Sequence, residues 1–304
     1  MKNNEPEKFN NKEEFIPSSL PIPLTDGIEE IKQSLKFRSE KGDVTYGLEI
    51  LDDACGYIPP GTVTLIMACP NVGKSLCAQQ IANNIAKQGH KVLICSCEMS
   101  AGQLMLRELK RTMGVSNKQL LEGYKKNPNS IINILDKYID DDQFKYLENI
   151  QVLDIGDMYI DELIKILNID DYKKYRYIII DYVQRLKGAG DTEYNQFKDI
   201  SQKLHTFAMR TRKCIIECSQ IPKTNENDSR TQKNGINFQT LRAKGAGNFE
   251  EDADIAIKMA EELEGNELYV LINLSKNRCD GLKCVTYKYQ KTPRLEFKLI
   301  SKGY

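Results

Sequence analysis

Histidine is nearly absent from this 304-residue chain, which has only His90 and His205, and none of its nine cysteines forms a Cys-x-x-Cys pair. Without those residues at ligand spacing there is no zinc site and no recognisable disulfide framework. Cys95, Cys97, Cys214 and Cys218 instead lie in apolar, strand-like runs and read as small core hydrophobes, which suits a reduced cytoplasm. Charge of one sign is missing too: 43 Lys and Arg balance 43 Asp and Glu. No global field advertises nucleic acid or an acidic membrane, so any contact with a polyanion must be local. No stretch reaches the roughly eighteen apolar residues of a membrane span, and the charged N-terminus lacks the apolar core of a signal peptide. A soluble protein is expected, with no membrane partner. No internal repeat is present.

What the chain has is a buried strand, a tight loop and an amphipathic helix in succession. Val63 to Met67 are apolar, Ile81, Ala82, Ile85 and Ala86 recur at helical spacing, and Gly73-Lys74-Ser75 lies between them. That context makes the segment a phosphate-binding loop. Pro70, Asn71, Val72 and Gly73, with Lys74, Ser75 and Leu76 at the helix start, form the candidate nucleotide-binding set. Successive backbone N–H groups would wrap the β-phosphate at the positive end of the helix. Lys74 would reach the β/γ oxygens, and the Ser75 hydroxyl would hold Mg²⁺. The usual first glycine is absent, and Ala68 in its place requires the loop entry to run at negative φ.

Further chemistry stands at strand ends. Tyr177-Ile-Ile-Ile-Asp181 closes an apolar run with a carboxylate, placing an acid at the edge where open α/β sheets bind ligands. Asp181 fits a Mg²⁺-holding role opposite Ser75, the alternative being a turn cap. Glu98 ends the strand Lys91 to Cys97 and is either a water-positioning base or a first-turn helix acid. Gln220 follows the strand Cys214 to Cys218, where an uncharged amide can sense a γ-phosphate. Lys276 and Arg278 close a later strand and suit phosphate oxygens, or form an exposed charge pair. Action on a nucleotide from that far edge is simplest in trans, across a head-to-tail interface.

Strands expected at 150–155, 177–181 and 214–218, with helices starting near Tyr159 and Tyr194 between them, indicate a parallel sheet covered by helices on both faces. Ser100 and Gln103 carry a capping-box signature. The segment 116–148 reads as a partly helical surface excursion, and 222–238 as a polar loop. Strands at 253–259, 268–274 and 283–289 read as an antiparallel extension. Ahead of all this, residues 1–41 form a polar, proline-bearing arm and a short helix capped by Asp26. Ile28, Ile31 and Leu35 share one face of that helix and must dock on their own domain or on a neighbouring subunit.

Taken in order, Ala68 to Ser75, Cys97-Glu98-Met99, Ile180-Asp181-Tyr182-Val183-Gln184, Ser219-Gln220, Glu251-Asp252-Ala253-Asp254 and Lys276-Asn277-Arg278-Cys279-Asp280-Gly281 resemble the C-terminal motor domain of DnaB-like replicative helicases. The resemblance covers 42–304 and implies a RecA-like P-loop NTPase core, with ATP and Mg²⁺ as cofactors. It implies Glu98 as the catalytic glutamate, Asp181 on the metal, Gln220 as sensor, and Lys276 and Arg278 as a pair completing a neighbour's site. Arg242, Lys244, Gly245 and Gly247 fall where the family's channel loop meets the DNA backbone, while Phe249 reads as a packing residue. A hexameric ring on single-stranded DNA, a linker helix near Ile28 to Leu35 docking on the adjacent subunit, and a primase or loader partner follow from the same resemblance. The residues before Gly42 leave no room for the family's helical N-terminal collar, as in a minimal helicase of phage or mobile-element type. The competing readings are a RecA-type DNA-dependent ATPase that mediates recombination or loads a helicase without unwinding, and a nucleotide-gated assembly protein. Glu98 argues against the second, because an assembly switch needs no activated water.

Overall fold

The longest apolar runs of the sequence become the inner strands of one nine-stranded sheet, ordered β3-β2-β4-β5-β1-β6-β7-β8-β9. These strands are β1 Val63–Ala68, β2 Val92–Ser96, β3 Ile150–Asp154, β4 Tyr177–Asp181, β5 Cys214–Gln220, β6 Ile255–Glu264, β7 Glu267–Asn277, β8 Thr286–Lys291 and β9 Phe297–Lys302. The computed structural model describes residues 24–26, 28, 31–32, 35–36, 42–129, 132–133, 136, 141–221, 236, 238, 247–279, 284–292 and 294–303. The chain divides into two units, Met1–Asp43 and Val44–Tyr304. In the first, Leu24–Asp26 form a 3-10 turn, and Ile28, Ile31 and Leu35 are helical and each more than half exposed.

Every residue of β1, β2 and β4 is buried, which is why these strands read as continuous apolar runs rather than alternating ones. Strands β3, β2, β4, β5, β1 and β6 run parallel, and β6 to β9 pair antiparallel. The helix Lys74–Lys87 (α1) packs over β1, β2, β4 and β5. Glu193–Thr211 (α2) and Gly247–Asp252 (α3) cover the other face. Adjacent residues of β5 report the two sides: Cys218 feels Cys77 of α1, and Glu217 feels Asp252 of α3.

The expected elements recur with shifted edges. Ser219 and Gln220 belong to β5 itself rather than following it, and β6 and β7 extend beyond their expected ends. Strand β9 has no counterpart among the expected elements. Ser100 accepts from the Gln103 amide and Gln103 from the Ser100 amide, so the capping box forms at Ala101–Met113 (α4). Ala68 ends β1 in register with Gln220 and Met259, so no glycine is needed there. Phe249 is fully buried with its ring 5.6 Å from that of Phe197. Cys95, Cys214 and Cys218 are buried and Cys97 half-buried, and burial pushes the Cys214 thiol up to about 11. Among the described residues no helix is long and apolar enough to cross a membrane.

One core residue breaks the pattern. Glu217 is 1 % exposed, its Oε2 lacks a hydrogen-bond partner among the described residues, and burial, reinforced by Asp252, pushes its carboxyl up to about 8. Asp252 itself accepts from Ser201 Oγ at 2.7 Å. A buried acid with a raised pKa binds its proton in the folded state before the unfolded chain would, so its drag on stability grows as pH rises through that interval. Glu217→Gln should therefore stabilise the protein by on the order of 2 kcal/mol at pH 8 and by little at pH 5. Thermal melts of both proteins across that range check this, and a difference independent of pH would count against it.

Candidate functional site

The carboxyl ends of β1, β2, β4 and β5 come together at one edge of the sheet, and the phosphate-loop residues sit there. Helix α1 starts at Lys74 with Gly73 as N-cap at φ 116° and no side chain capping its amides. A 14-residue helix thus presents unsatisfied N–H donors and its positive end to the loop. The loop's two left-handed positions fall on Asn71 (φ 71°) and Gly73, residue types that tolerate them. Val72 is buried, its amide donating to Cys69 O at 3.4 Å.

A cavity of about 420 Å³ opens over this loop, lined by Pro70, Asn71, Gly73, Lys74, Ser75 and Leu76 together with Glu98 and Gln220. Lys74 Nζ lies 3.3 Å from Asp181 Oδ1 and 4.4 Å from the centre of the Tyr182 ring. Lys74 and Asp181 are both buried, so the pair neutralises two charges that would each be costly alone. Glu98 is exposed, two residues beyond β2 and two ahead of the N-cap Ser100. The first turn of α4 contains no acid, so the helix-dipole alternative for Glu98 is not met. Gln220 is braced from behind: its amide donates to Gln184 Oε1 at 2.9 Å, and Gln184 Nε2 donates to Ser219 Oγ and Gln220 O. The residue set fits a nucleotide with its metal, since backbone donors and a lysine face the cavity beside one hydroxyl and one buried carboxylate.

Lys276 and Arg278 are elsewhere. Lys276 Nζ donates to Glu250 O at 2.7 Å and Glu251 O at 2.6 Å, and Arg278 Nη2 donates to Glu251 O at 3.0 Å. Arg278 Nη1 also lies 3.5 Å from Asp254 Oδ1. Both cations thus hold the C-terminal carbonyls of α3, and neither lines the chain's own cavity. Burial, with Arg278 beside it, pulls the Lys276 ammonium below its ordinary value. Gly247 opens α3, whereas Arg242, Lys244 and Gly245 lie outside the described residues.

Four cavity residues stand outside the candidate set: Cys69 within the loop, and Arg107, Lys291 and Leu295 away from it. Arg107 projects from α4, with Nη1 donating to Gln79 Oε1 at 3.4 Å and Nη2 to Met99 Sδ at 2.8 Å. Its only signal was an arginine on the inward side of the helix that follows Glu98. Behind it, Glu108 is buried and accepts from Asn83 Nδ2 at 2.8 Å, Arg111 Nε at 3.0 Å and the Tyr146 hydroxyl. Arg111 also pairs with Glu296. This network ties α1 and α4, which both feed the cavity, to the C-terminal hairpin.

Residues 43–295 match the family model of the DnaB-like helicase C terminal domain. This chain belongs to that family. The DnaB-like domain is 29 % identical over 243 residues to a probable plasmid replicative DNA helicase of Chlamydia muridarum, covering 75 % of this chain and 50 % of that protein. It is 28 % identical over 224 residues to the replicative DNA helicase DnaB of Geobacillus stearothermophilus, covering 69 % and 45 %. The chain therefore spans about half the length of these relatives. In fold it is similar to a DnaB-like replicative helicase whose structure was described with its interactions with primase, with a TM-score of 0.70, 21 % identity, and coverage of 91 % of this chain and 67 % of that one.

The Glu108 network sets a prediction for the DnaB-like domain. Burial alone would raise the Glu108 carboxyl, but hydrogen bonds from Arg111, Tyr146 and Asn83 together hold it below the usual range. Its stabilising contribution is present above the ordinary carboxylate range and disappears as pH falls through the depressed value. Glu108→Ala should cost about 3 kcal/mol at pH 7 by leaving Arg111 without its buried partner. Urea titrations should show that gap narrowing toward acid pH. An equal gap at every pH would assign the loss to packing instead.

Proposed function

We propose that this chain is the ATP-hydrolysing motor of a replicative DNA helicase, working in the bacterial cytoplasm as a hexameric ring on single-stranded DNA. One observation carries the reading: the chain's own cavity gathers Lys74, Ser75, Glu98 and Gln220 but leaves out Lys276 and Arg278. A site with its loop, base and sensor in one subunit and the Lys276–Arg278 pair elsewhere is completed by a neighbour in a head-to-tail ring. The replicative helicases among its relatives support the choice of substrate.

In this mechanism the α1 amides and Lys74 receive the triphosphate, Lys74 exchanging Asp181 for the β/γ oxygens. Ser75 and Asp181 would hold Mg²⁺, which supplies charge neutralisation at the phosphates. Glu98, exposed to the cavity, orients the attacking water and accepts its proton. Gln220, fixed by Gln184, hydrogen-bonds the γ-phosphate without repelling it. Arg278 and Lys276 of one subunit steady the charge that develops in the next subunit's site. Arg242, Lys244, Gly245 and Gly247 would be the contacts to the DNA backbone. A ring needs only one or two such cations per subunit, which is compatible with a chain of zero net charge. A primase or loader would act on this ring from outside it.

The test is hydrolysis of ATP with Mg²⁺ at protein concentrations that sustain rings, titrated with single-stranded DNA and followed by unwinding of a forked duplex. Strong stimulation and strand displacement are expected. Measurable hydrolysis that ignores DNA would turn the reading toward a loader or mediator. Glu98→Gln should retain nucleotide binding while turnover falls ~100-fold or more. Mixtures of Arg278→Ala with Lys74→Ala subunits should recover activity that neither has alone, and silent mixtures would refute action in trans.

A further inference from the structure

The C-terminal hairpin is built against the phosphate loop. Strands β8 and β9 pair Lys291 with Phe297, and Leu295 N donates to Thr292 O at 2.9 Å between them, with Leu295 at φ 55°. Phe297 is 4 % exposed, and its Cζ lies 2.9 Å from where a Cβ on Gly73 would stand. Gly73 is thus required twice, by its own φ and by the ring pressed on it. Lys291 Nζ lies 3.7 Å from the same point.

The hairpin is fastened to both helices that flank the cavity. Phe297 N donates to Gln80 Oε1 at 2.8 Å, and Gln80 Nε2 returns a bond to Phe297 O at 3.4 Å, clipping β9 to α1. Glu296 pairs with Arg111 of α4. Among the described residues three cations line the cavity, and two have protein partners: Lys74 has Asp181, and Arg107 has Gln79 and Met99. The ammonium of half-buried Lys291 has no hydrogen bond or ion pair among the described residues. A half-buried ammonium held beside uncapped helix amides marks a place where anionic oxygens belong.

We propose that Lys291 is a second cationic contact for the nucleotide phosphates, delivered in cis by the C-terminal hairpin. The inference rests on the reading of the cavity as a nucleoside triphosphate site and adds a residue to it. Lys74 reaches the phosphates from the helix side of the loop, and Lys291 reaches them over Gly73 from the hairpin side. Phosphate recognition thereby couples the end of the chain to the loop at its beginning.

The experiment is equilibrium binding of fluorescent ADP, fluorescent AMP and a non-hydrolysable ATP analogue, each with Mg²⁺, to the full chain and to Lys291→Ala, Lys291→Gln and Lys291→Arg. The charge-removing variants should weaken ADP and the ATP analogue by about tenfold to a hundredfold, and Lys291→Arg should stay within about threefold. The loss should be smaller for AMP and should shrink with added salt. If the wild type binds and Lys291→Ala and Lys291→Gln bind as tightly, the proposal is wrong. An equal loss for AMP would also overturn it, assigning the contact to sugar or base. If the wild type binds no nucleotide at all, the site reading itself falls and takes this inference with it.

Discussion

The buried pair of Lys74 and Asp181 is the constraint around which the rest of this molecule is arranged. One member is the first residue of α1, the other the last residue of β4, and 107 residues of sequence separate them. Two charges withdrawn from water at the edge of the sheet tolerate little misplacement, because either one alone would bear most of its desolvation cost. Strand order converts this requirement into a site. With β5 standing between β4 and β1, the strand that ends in Gln220 is forced to finish beside the loop, and with β2 on the other side of β4, Glu98 arrives from the opposite flank.

Much of the fold is legible in the sequence alone, and the reason is locality. A phosphate loop declares itself within twenty residues, since strand, turn and helix must be contiguous for their amides to converge. Strand-end carboxylates are readable for the same reason: four apolar residues closed by Asp181 reveal both the burial and the edge. Ser100 and Gln103 announced a helix start through a contact spanning three residues. The RecA-like core and the membership of the DnaB-like family followed from the order of these local signs.

What stayed hidden depends on long-range packing. Strand β9 buries little more than Phe297 and shows a mostly solvated face, so it lacks the alternation that marks a half-buried strand. Nothing near Lys291 in sequence hints at Gly73, more than two hundred residues earlier. Arg107 was masked by its helix, where a basic residue is ordinary, and its position is settled by Gln79 on another element. Glu217 sits in a run of apolar residues that promised burial, yet its neighbour Asp252 comes from another element, the helix α3.

The grip of Lys276 and Arg278 on the last carbonyls of α3 has a mechanical side. That helix is six residues long, and its first residue, Gly247, follows directly on the 241–246 segment. A rod of about 9 Å, at 1.5 Å per residue, thus has two cations latched to its C-terminal end. Between those cations and its start the rod is pinned to the core, with the Phe249 ring fully buried against Phe197 and Ser201 Oγ held by Asp252, so its C-terminal carbonyls offer the two cations a fixed mount.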